Sequence, residues 1–477
     1  MKYNLFFLLF IAAITSCGPR PDQDGWYSLF DGESLNGWTA SENQSTFSIE
    51  DGAMVAHGDR SHLYYTGDVN KGTFKNFEFS AEVRTSPGSN SGIYFHTAFQ
   101  EEGWPSKGYE VQVNNSFIGN PEHPELKKTG SLYAIRNKYL TFVNDDEWFT
   151  MQVIVKGKRV KIMVNDKYTV DYLEPENPYR PEEMKGRLIG EGTFALQGHD
   201  PNSKVYFRNL RVKPLPDDAI FDDPRESVPE DIERKITMLH SIGFPMMDLH
   251  VHLKGGLTME QALEQSRIKG IDYGIAVNCG LDFYINTDER LLAHIDSVKR
   301  EPAFNAMQAE GREWVEIFSK DAVKTFDYIF TDAMTFNNLY GKRVHLWIPE
   351  EVNIPNKEKF MDQLADYIVK IISEESINVY ANATYIPDII AGEYDKLWTK
   401  PRMQKVIKAA KAKGVAIEIS ARYKIPSFEF IRLAKSEGVK FTFGTNNTDA
   451  NLGYDEYCLQ AIDSCGLTPD DMWVPGW

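Results

Sequence analysis

The sequence predicts two fused domains of different class, an all-β sandwich followed by an α/β barrel, and three observations predict it. From Trp26 to about Leu215, hydrophobicity alternates with a period of two, broken by turn residues. From about residue 236 onward, short apolar runs alternate with amphipathic stretches of helical period, as in βα units on a parallel sheet. Between them, residues 215–235 interleave Pro216, Pro224 and Pro229 with acidic residues. Such a stretch buries too little apolar surface to fold alone and reads as a semi-rigid linker. With 477 residues, 42% of them hydrophobic, the chain has enough apolar side chains for two cores.

Residues 1–17 carry one charge, Lys2, then the apolar run 5–14, then Thr15-Ser16-Cys17. This is the pattern of a secretory signal, too short and wrongly flanked for a spanning helix. Cysteine directly after the small Ser16 resembles a bacterial lipoprotein processing site. That resemblance implies a lipid on Cys17, a tether over 18–25, and a membrane-anchored address in the cell envelope, periplasmic or at the cell surface. Cys279, Cys458 and Cys465 then remain, an odd number with no framework spacing, so free thiols are expected.

Over 26–214 the period-two pattern is clearest in 77–85, 109–115 and 150–172. The last is broken at Gly157-Lys158 and Asn165-Asp166 into three hairpin-linked strands. Ten to twelve strands in this length suggest a two-sheet jelly-roll sandwich, concanavalin A-like in architecture. Alternation sorts side chains by face, and one face is polar: Glu78, Ser80, Glu82 and Arg84; Tyr94 and His96; Glu110, Gln112 and Asn114; Gln197 and His199. Tyr, His, Gln and Asn beside carboxylates form the mixture that hydrogen-bonds sugar hydroxyls and stacks on a pyranose. Trp104 and Phe99, in the 98–108 loop, are candidate cleft walls. Glu110 and His199 are the candidates for acid and base work, with Tyr94, His96, Gln112 and Gln197 placing substrate groups.

Several motifs in this half resemble the 3-keto-disaccharide hydrolase domain family. They are Leu29-Phe30-Asp31-Gly32-Glu33-Ser34-Leu35-Asn36-Gly37-Trp38, Asn90-Ser91-Gly92-Ile93-Tyr94-Phe95, Gly108-Tyr109-Glu110-Val111-Gln112-Val113, Thr129-Gly130-Ser131-Leu132-Tyr133 and Leu196-Gln197-Gly198-His199, followed by Val205-Tyr206-Phe207-Arg208-Asn209. The resemblance implies cleavage of glycosides whose sugar carries a ketone at C3. That carbonyl acidifies the C2 proton, so a base can start an elimination that expels the C1 substituent, and water then adds back. The route needs a base near C2, an acid near the glycosidic oxygen and a polariser for the enolate oxygen.

In the second half the apolar runs are 246–249, 273–277, 303–308, 328–330, 377–380, 416–419 and 440–443, with helical patterns such as 258–269, 357–373 and 427–437 between them. Seven units favour a closed or nearly closed barrel, whose chemistry sits at the C-terminal strand ends. Just past the runs stand His250 and His252, Asn278 and Cys279, Glu310, Asp332, Asn382, Glu418, and Asn446 with Asn447. In His250-x-His252 one strand repeat separates two imidazoles able to reach one ion.

These residues resemble the polymerase and histidinol phosphatase (PHP) domain, a seven-unit barrel binding up to three metals for phosphoester hydrolysis. The similarity runs through Asp248-Leu249-His250-Val251-His252, Gly270-Ile271-Asp272-Tyr273-Gly274-Ile275-Ala276-Val277, Ile417-Glu418-Ile419 and Gly438-Val439-Lys440-Phe441-Thr442-Phe443-Gly444. The family's later motifs are lost. Val277-Asn278-Cys279 replaces Thr-Asp-His, Ala381-Asn382-Ala383 replaces Ala-His-Pro, and Thr445-Asn446-Asn447-Thr448 replaces Ser-Asp-Ala-His. Amides are poor transition-metal ligands, which argues against a trinuclear site. His250, His252 and Glu310, with Glu418 or Asp449 nearby, remain as a set for one divalent ion, zinc or manganese, against the alternative of a metal-free polar pocket. Cys279 could add a soft ligand, against the alternative of a buried small apolar residue.

With 52 basic against 69 acidic residues, a formal −17, nucleic acid is excluded as a partner because phosphate contacts need a basic surface. The lysines of 400–413 fall around a helix and read as a solvated face. Three functions follow: an exported glycoside-cleaving enzyme acting through the sandwich; a sugar-binding sandwich with a mononuclear hydrolase barrel; or two non-catalytic glycan-binding units.

Overall fold

A computed structural model describes residues 19–225, 227–337, 341–453 and 455–476. Cys17 and the apolar run before it lie outside the described residues.

The first half is a two-sheet antiparallel sandwich. Strict alternation drives its formation: along Phe149–Lys156 every second residue is buried, from Phe149 to Val155. The next two strands, Arg159–Val164 and Lys167–Leu173, follow through two-residue turns at Gly157 and Asn165, whose φ of 59° and 54° suit the turn that matches strand twist. One sheet orders Lys167–Leu173, Arg159–Val164, Phe149–Lys156, Phe77–Thr85, Val205–Pro214, Ala53–Ala56 and Phe47–Glu50, with Tyr27–Ser28 paired beside Val205–Pro214. The other orders Trp38–Ala40, Ser61–Tyr65, Thr193–Gly198, Asn90–Thr97 and Tyr109–Asn114. Between them lies an apolar core including Phe77, Phe79, Phe95, Val111, Met151, Phe194 and Phe207.

The second half is a closed barrel of seven parallel strands: Met247–Val251, Asp272–Cys279, Phe304–Ala309, Tyr328–Thr331, Val379–Tyr380, Ala416–Ser420 and Phe441–Gly444. Helices pack outside. Met259–Lys269 shows the local logic: Thr258 and Gln261 form a reciprocal capping box at its start, and Gly270 closes it at φ 71°. The barrel's interior is filled by Met247, Leu249, Ala276, Phe304, Ala306, Tyr328, Phe330, Val379, Ala381 and Ala416, so it is a packed core with its polar residues gathered at one mouth. Cys279, Cys458 and Cys465 are free thiols, all buried.

The joint departs from a loose linker. Asp223 accepts hydrogen bonds from Arg159 (2.8 Å) and Lys161 (2.7 Å), and Arg225 lies 3.5 Å from Asp171, so this stretch is tied along the sandwich. The helix Glu230–Ser241 begins within the expected linker. The halves are also joined by the 128–139 loop, which leaves the sandwich and enters the barrel. Arg136 is paired with Glu233, the Asn137 amide donates to the His240 carbonyl at 2.9 Å, Lys138 is paired with Asp272, and Tyr139 joins the barrel's interior cluster.

Candidate functional site

The site is built on the five-stranded sheet, on the face turned away from the core. Cross-strand register sets its rows. Tyr94 pairs Glu110 on one side and Ala195 on the other, and Ala195 pairs Tyr64. Gly92 pairs Gln112, and Gln197 pairs His62, one row along. Gly92 leaves room for the carboxyl: a Cβ on it would lie 2.8 Å from Glu110 Oε1.

These rows floor a pocket of about 330 Å³ lined by Tyr94, Glu110, Gln112, Gln197, His199 and Trp104, together with Asn90, Glu125, Tyr133 and Arg187. That volume falls at the lower end of the range of small-molecule sites. Glu110 is buried and receives three donors: Tyr94 hydroxyl at 2.8 Å, Gln197 Nε2 at 3.0 Å and Arg187 at 3.3 Å. Three donors thus converge on its two carboxyl oxygens. Burial, then the Glu110 charge, raises the Tyr94 phenol well above its ordinary range, so it remains a donor. Burial opposes the Arg187 charge, but Tyr94 and Glu110 beside it raise its pKa.

His199 stands at the rim, its Nδ1 2.6 Å from Asp200 Oδ2 and its ring against Trp104 and Phe117. Burial opposes the Asp200 charge, yet hydrogen bonds from His199 and Ser203 hold its carboxyl below the usual range. Trp104 is 44% exposed and covers His62 edge-on at 5.5 Å.

Several buried polar atoms around this hollow have no hydrogen-bond partner among the described residues: Gln112 Oε1, Gln197 Oε1, Arg187 Nη1 and both nitrogens of His62. Burial pushes His62 down to about 3, so it is neutral. Buried polar groups are normally satisfied. A cluster of exceptions around one cavity is what a hydroxyl-rich ligand would complete.

Three expectations about the polar face are corrected. His96 points elsewhere: its Nε2 donates to the Lys75 carbonyl at 2.8 Å, its Nδ1 accepts from Gly190 N–H at 3.2 Å, and its ring packs on Phe77. The cause is local, a φ of 54° at His96 beside a register irregularity that breaks the alternation after Tyr94. Glu78, Ser80, Glu82 and Arg84 belong to the other sheet, where Glu82 is paired with Arg208. Phe99 packs on Tyr64 and does not line the pocket. Sequence reasoning missed Arg187 and His62. Arg187 lies in an irregular segment with no periodicity. His62 and Tyr64 share a face of a five-residue strand that is buried throughout, which erases the polar–apolar contrast.

At the barrel mouth the expected metal ligands are engaged with one another's neighbours. His250 Nδ1 lies 2.5 Å from Glu418, and its Nε2 lies 3.2 Å from Gln308. His252 Nδ1 donates to the Ala276 carbonyl at 3.0 Å, leaving Nε2 unpartnered among the described residues. Glu310 accepts from Asn278 at 2.7 Å, and Asp332 accepts from Asn382 at 2.8 Å. Asp449 caps its own turn by accepting from Asn451 N–H. Burial raises the Cys279 thiol above its ordinary value. Among the described residues no three His, Cys, Asp or Glu side chains come together to hold an ion. Asn278 and Asn382 are neutral amides that donate to Glu310 and Asp332, so the donor set does not fit the expected divalent metal.

Several known proteins are similar to parts of this chain. A histidinol phosphate phosphatase of Lactococcus lactis is similar at 14% identity, covering 47% of this chain and 95% of that one, with a TM-score of 0.37. A carbohydrate-binding module of Bacillus subtilis is similar at 14% identity over 37% of this chain and 94% of its own, with a TM-score of 0.25. A 3-keto-disaccharide hydrolase of Bacteroides thetaiotaomicron is 28% identical over 238 residues, 41% of this chain and 80% of the relative. Residues 25–213, the sandwich that carries the Glu110 pocket, match the family model of the 3-keto-alpha-glucoside-1,2-lyase-like domain.

Proposed function

We propose that the protein is an exported, lipid-anchored hydrolase that cleaves glycosides of 3-keto sugars in the sandwich pocket. The observation that carries this reading is the convergence of Glu110 and His199 on one hollow whose walls hold buried polar atoms without a partner among the described residues. The match of residues 25–213 to the lyase-like domain, and the similarity to a 3-keto-disaccharide hydrolase, support the substrate class.

Position sorts the two roles. Glu110 lies on the floor and is the base that removes the C2 proton. His199 lies at the rim with Nδ1 held by an ionised Asp200. That partner occupies Nδ1, so Nε2 is the nitrogen that delivers a proton to the glycosidic oxygen, and the leaving sugar departs towards solvent. Water added across the resulting C1–C2 double bond completes hydrolysis. Gln112 and Gln197 offer carbonyl oxygens to sugar hydroxyls, and Trp104 offers a face for stacking.

The test is cleavage of a 3-keto-disaccharide by the full chain, followed as released sugar, with the unoxidised disaccharide as control. Cleavage of the keto sugar alone is expected, reduced about 10²- to 10⁴-fold in E110Q and in H199A. Binding without cleavage would replace this reading with a sugar-binding module.

A further inference from the structure

The elimination requires a group that accepts charge at the C3 oxygen, and neither Glu110 nor His199 supplies it. We infer that Arg187 is that group, recognising the C3 ketone and carrying the enolate, and so setting the preference for oxidised over unoxidised sugar. The inference rests on the reaction proposed above and names the residue that fixes its substrate.

The geometry of Arg187 is unusual for a counter-ion. A buried guanidinium that only neutralises a carboxylate frequently uses two nitrogens in a fork. Here one nitrogen, Nη2, meets Glu110 Oε2 at 3.3 Å, while Nη1 is buried with no partner among the described residues. The residue lines the pocket and its guanidinium stands over the rings of Tyr133 and Tyr94, at 5.5 and 5.8 Å.

Its backbone is held closely. A Cβ on the preceding Gly186 would come 2.0 Å from the Ser106 carbonyl oxygen, and the Gly186 carbonyl accepts from Gly108 N–H at 3.0 Å. Arg187 is therefore locked against the loop that carries Trp104.

Adjacency in the protein matches adjacency in the sugar. C2 and C3 are bonded neighbours, and Glu110 and Arg187 are contacting neighbours. When Glu110 takes the C2 proton, the C2–H electron pair becomes the C2=C3 bond and the carbonyl π pair moves onto O3, where Arg187 Nη1 donates to it. In the second step the O3 pair re-forms the ketone, the C2=C3 pair shifts to C1=C2, and the C1–O bond breaks, its pair taking the proton from His199. No oxidant or reductant enters.

The test uses the full chain and a non-cleavable pair of ligands: a 3-keto disaccharide with carbon in place of the glycosidic oxygen, and its 3-hydroxy counterpart. Wild-type protein is expected to bind the ketone about tenfold more tightly or better, and R187M to bind both alike. On the cleavable keto sugar, R187M should lose about 10²- to 10³-fold in kcat, with R187K intermediate because it keeps the charge without the fork. R187K also serves if R187M does not fold. A keto preference surviving in both variants, or unchanged kcat, overturns the inference while leaving the hydrolase reading intact. An Arg187-dependent preference in a protein that cleaves nothing supports ketone recognition by Arg187 but removes the hydrolase, and with it the enolate role.

Discussion

Tyr139 of the sandwich donates its phenol to the Phe244 carbonyl, 2.9 Å away, and so stands among the residues that fill the barrel. Its backbone N–H donates to Asp272 at 2.8 Å, and the other oxygen of Asp272 is taken by Lys138. The same loop lies along the outer strand of the sheet that carries the Glu110 pocket, where Tyr133 N–H donates to the Glu110 carbonyl at 2.9 Å. One loop thus serves as pocket wall and barrel plug.

The two halves are therefore expected to unfold together. D272A strands the Lys138 ammonium, which is about nine-tenths buried, and breaking a buried pair in this way costs about 3–5 kcal/mol. Urea denaturation followed by fluorescence should give a single transition displaced as a whole. Two transitions, of which D272A moves only one, would mean that the halves fold independently.

Gly92 gives a sharper probe of the pocket. It lies within a strand, and an added methyl would press on the Oε1, Cγ and Cδ atoms of Glu110 at 2.8–3.2 Å. G92A should retain the fold, with overpacking costing about 1–3 kcal/mol. Misplacing the base by a fraction of an ångström should lower kcat/KM on the keto sugar about 10²-fold. Full activity in a folded G92A would show that Glu110 is not held in a working position.

How far this arrangement was legible depends on periodicity. The alternation at Phe149–Lys156 and the capping signals at Thr258 and Gly270 are local, so strands and helices could be read from neighbouring residues. The same parity placed Tyr94, Glu110, Gln112 and Gln197 on one face. It failed at His96, where one positive φ inverts the side chain, and such inversions leave no mark in a hydrophobic pattern. Arg187 reaches the pocket through tertiary packing of an irregular loop, information that no local window contains. The plug at Arg136–Tyr139 was hidden for the same reason. Its polar residues look like an exposed loop until Glu233 and Asp272 are brought to them from more than ninety residues away.

Acid sensitivity should come from buried neutral histidines. His96 and His240 share a geometry: Nε2–H donates to a carbonyl, of Lys75 and of Gly270, while Nδ1 accepts a backbone N–H, of Gly190 and of Asn137. A protonated Nδ1 has no place in either. Burial lowers His96 to about 4 and His240 to about 3. Below the unfolded value of 6.5 the unfolded chain binds more protons, so stability falls as pH falls from 6.5 towards 4 and rises again with pH. Between pH 7 and pH 5 each such group removes about 2 kcal/mol. Urea midpoints of wild type and H240Q at both pH values isolate the effect: the acid-induced loss should shrink by about that amount in the variant. Equal losses in the two proteins would contradict the assignment.

The barrel mouth yields the last prediction. His250 is buried between Glu418 and Gln308, and although burial alone would lower its pKa, the Glu418 charge raises it. This is the arrangement of a structural ion pair, with both ring nitrogens in use and Asn278 and Asn382 tying down the nearby carboxylates. Dialysis against micromolar zinc or manganese, followed by elemental analysis, should therefore leave well under one ion per chain. H250A strands Glu418 in the interior and should lower stability by about 3–5 kcal/mol, while at temperatures where it stays folded, cleavage in the sandwich pocket proceeds at the wild-type rate. One tightly held ion per chain, lost in H250A, would instead assign the mouth to metal chemistry and overturn the structural reading of His250.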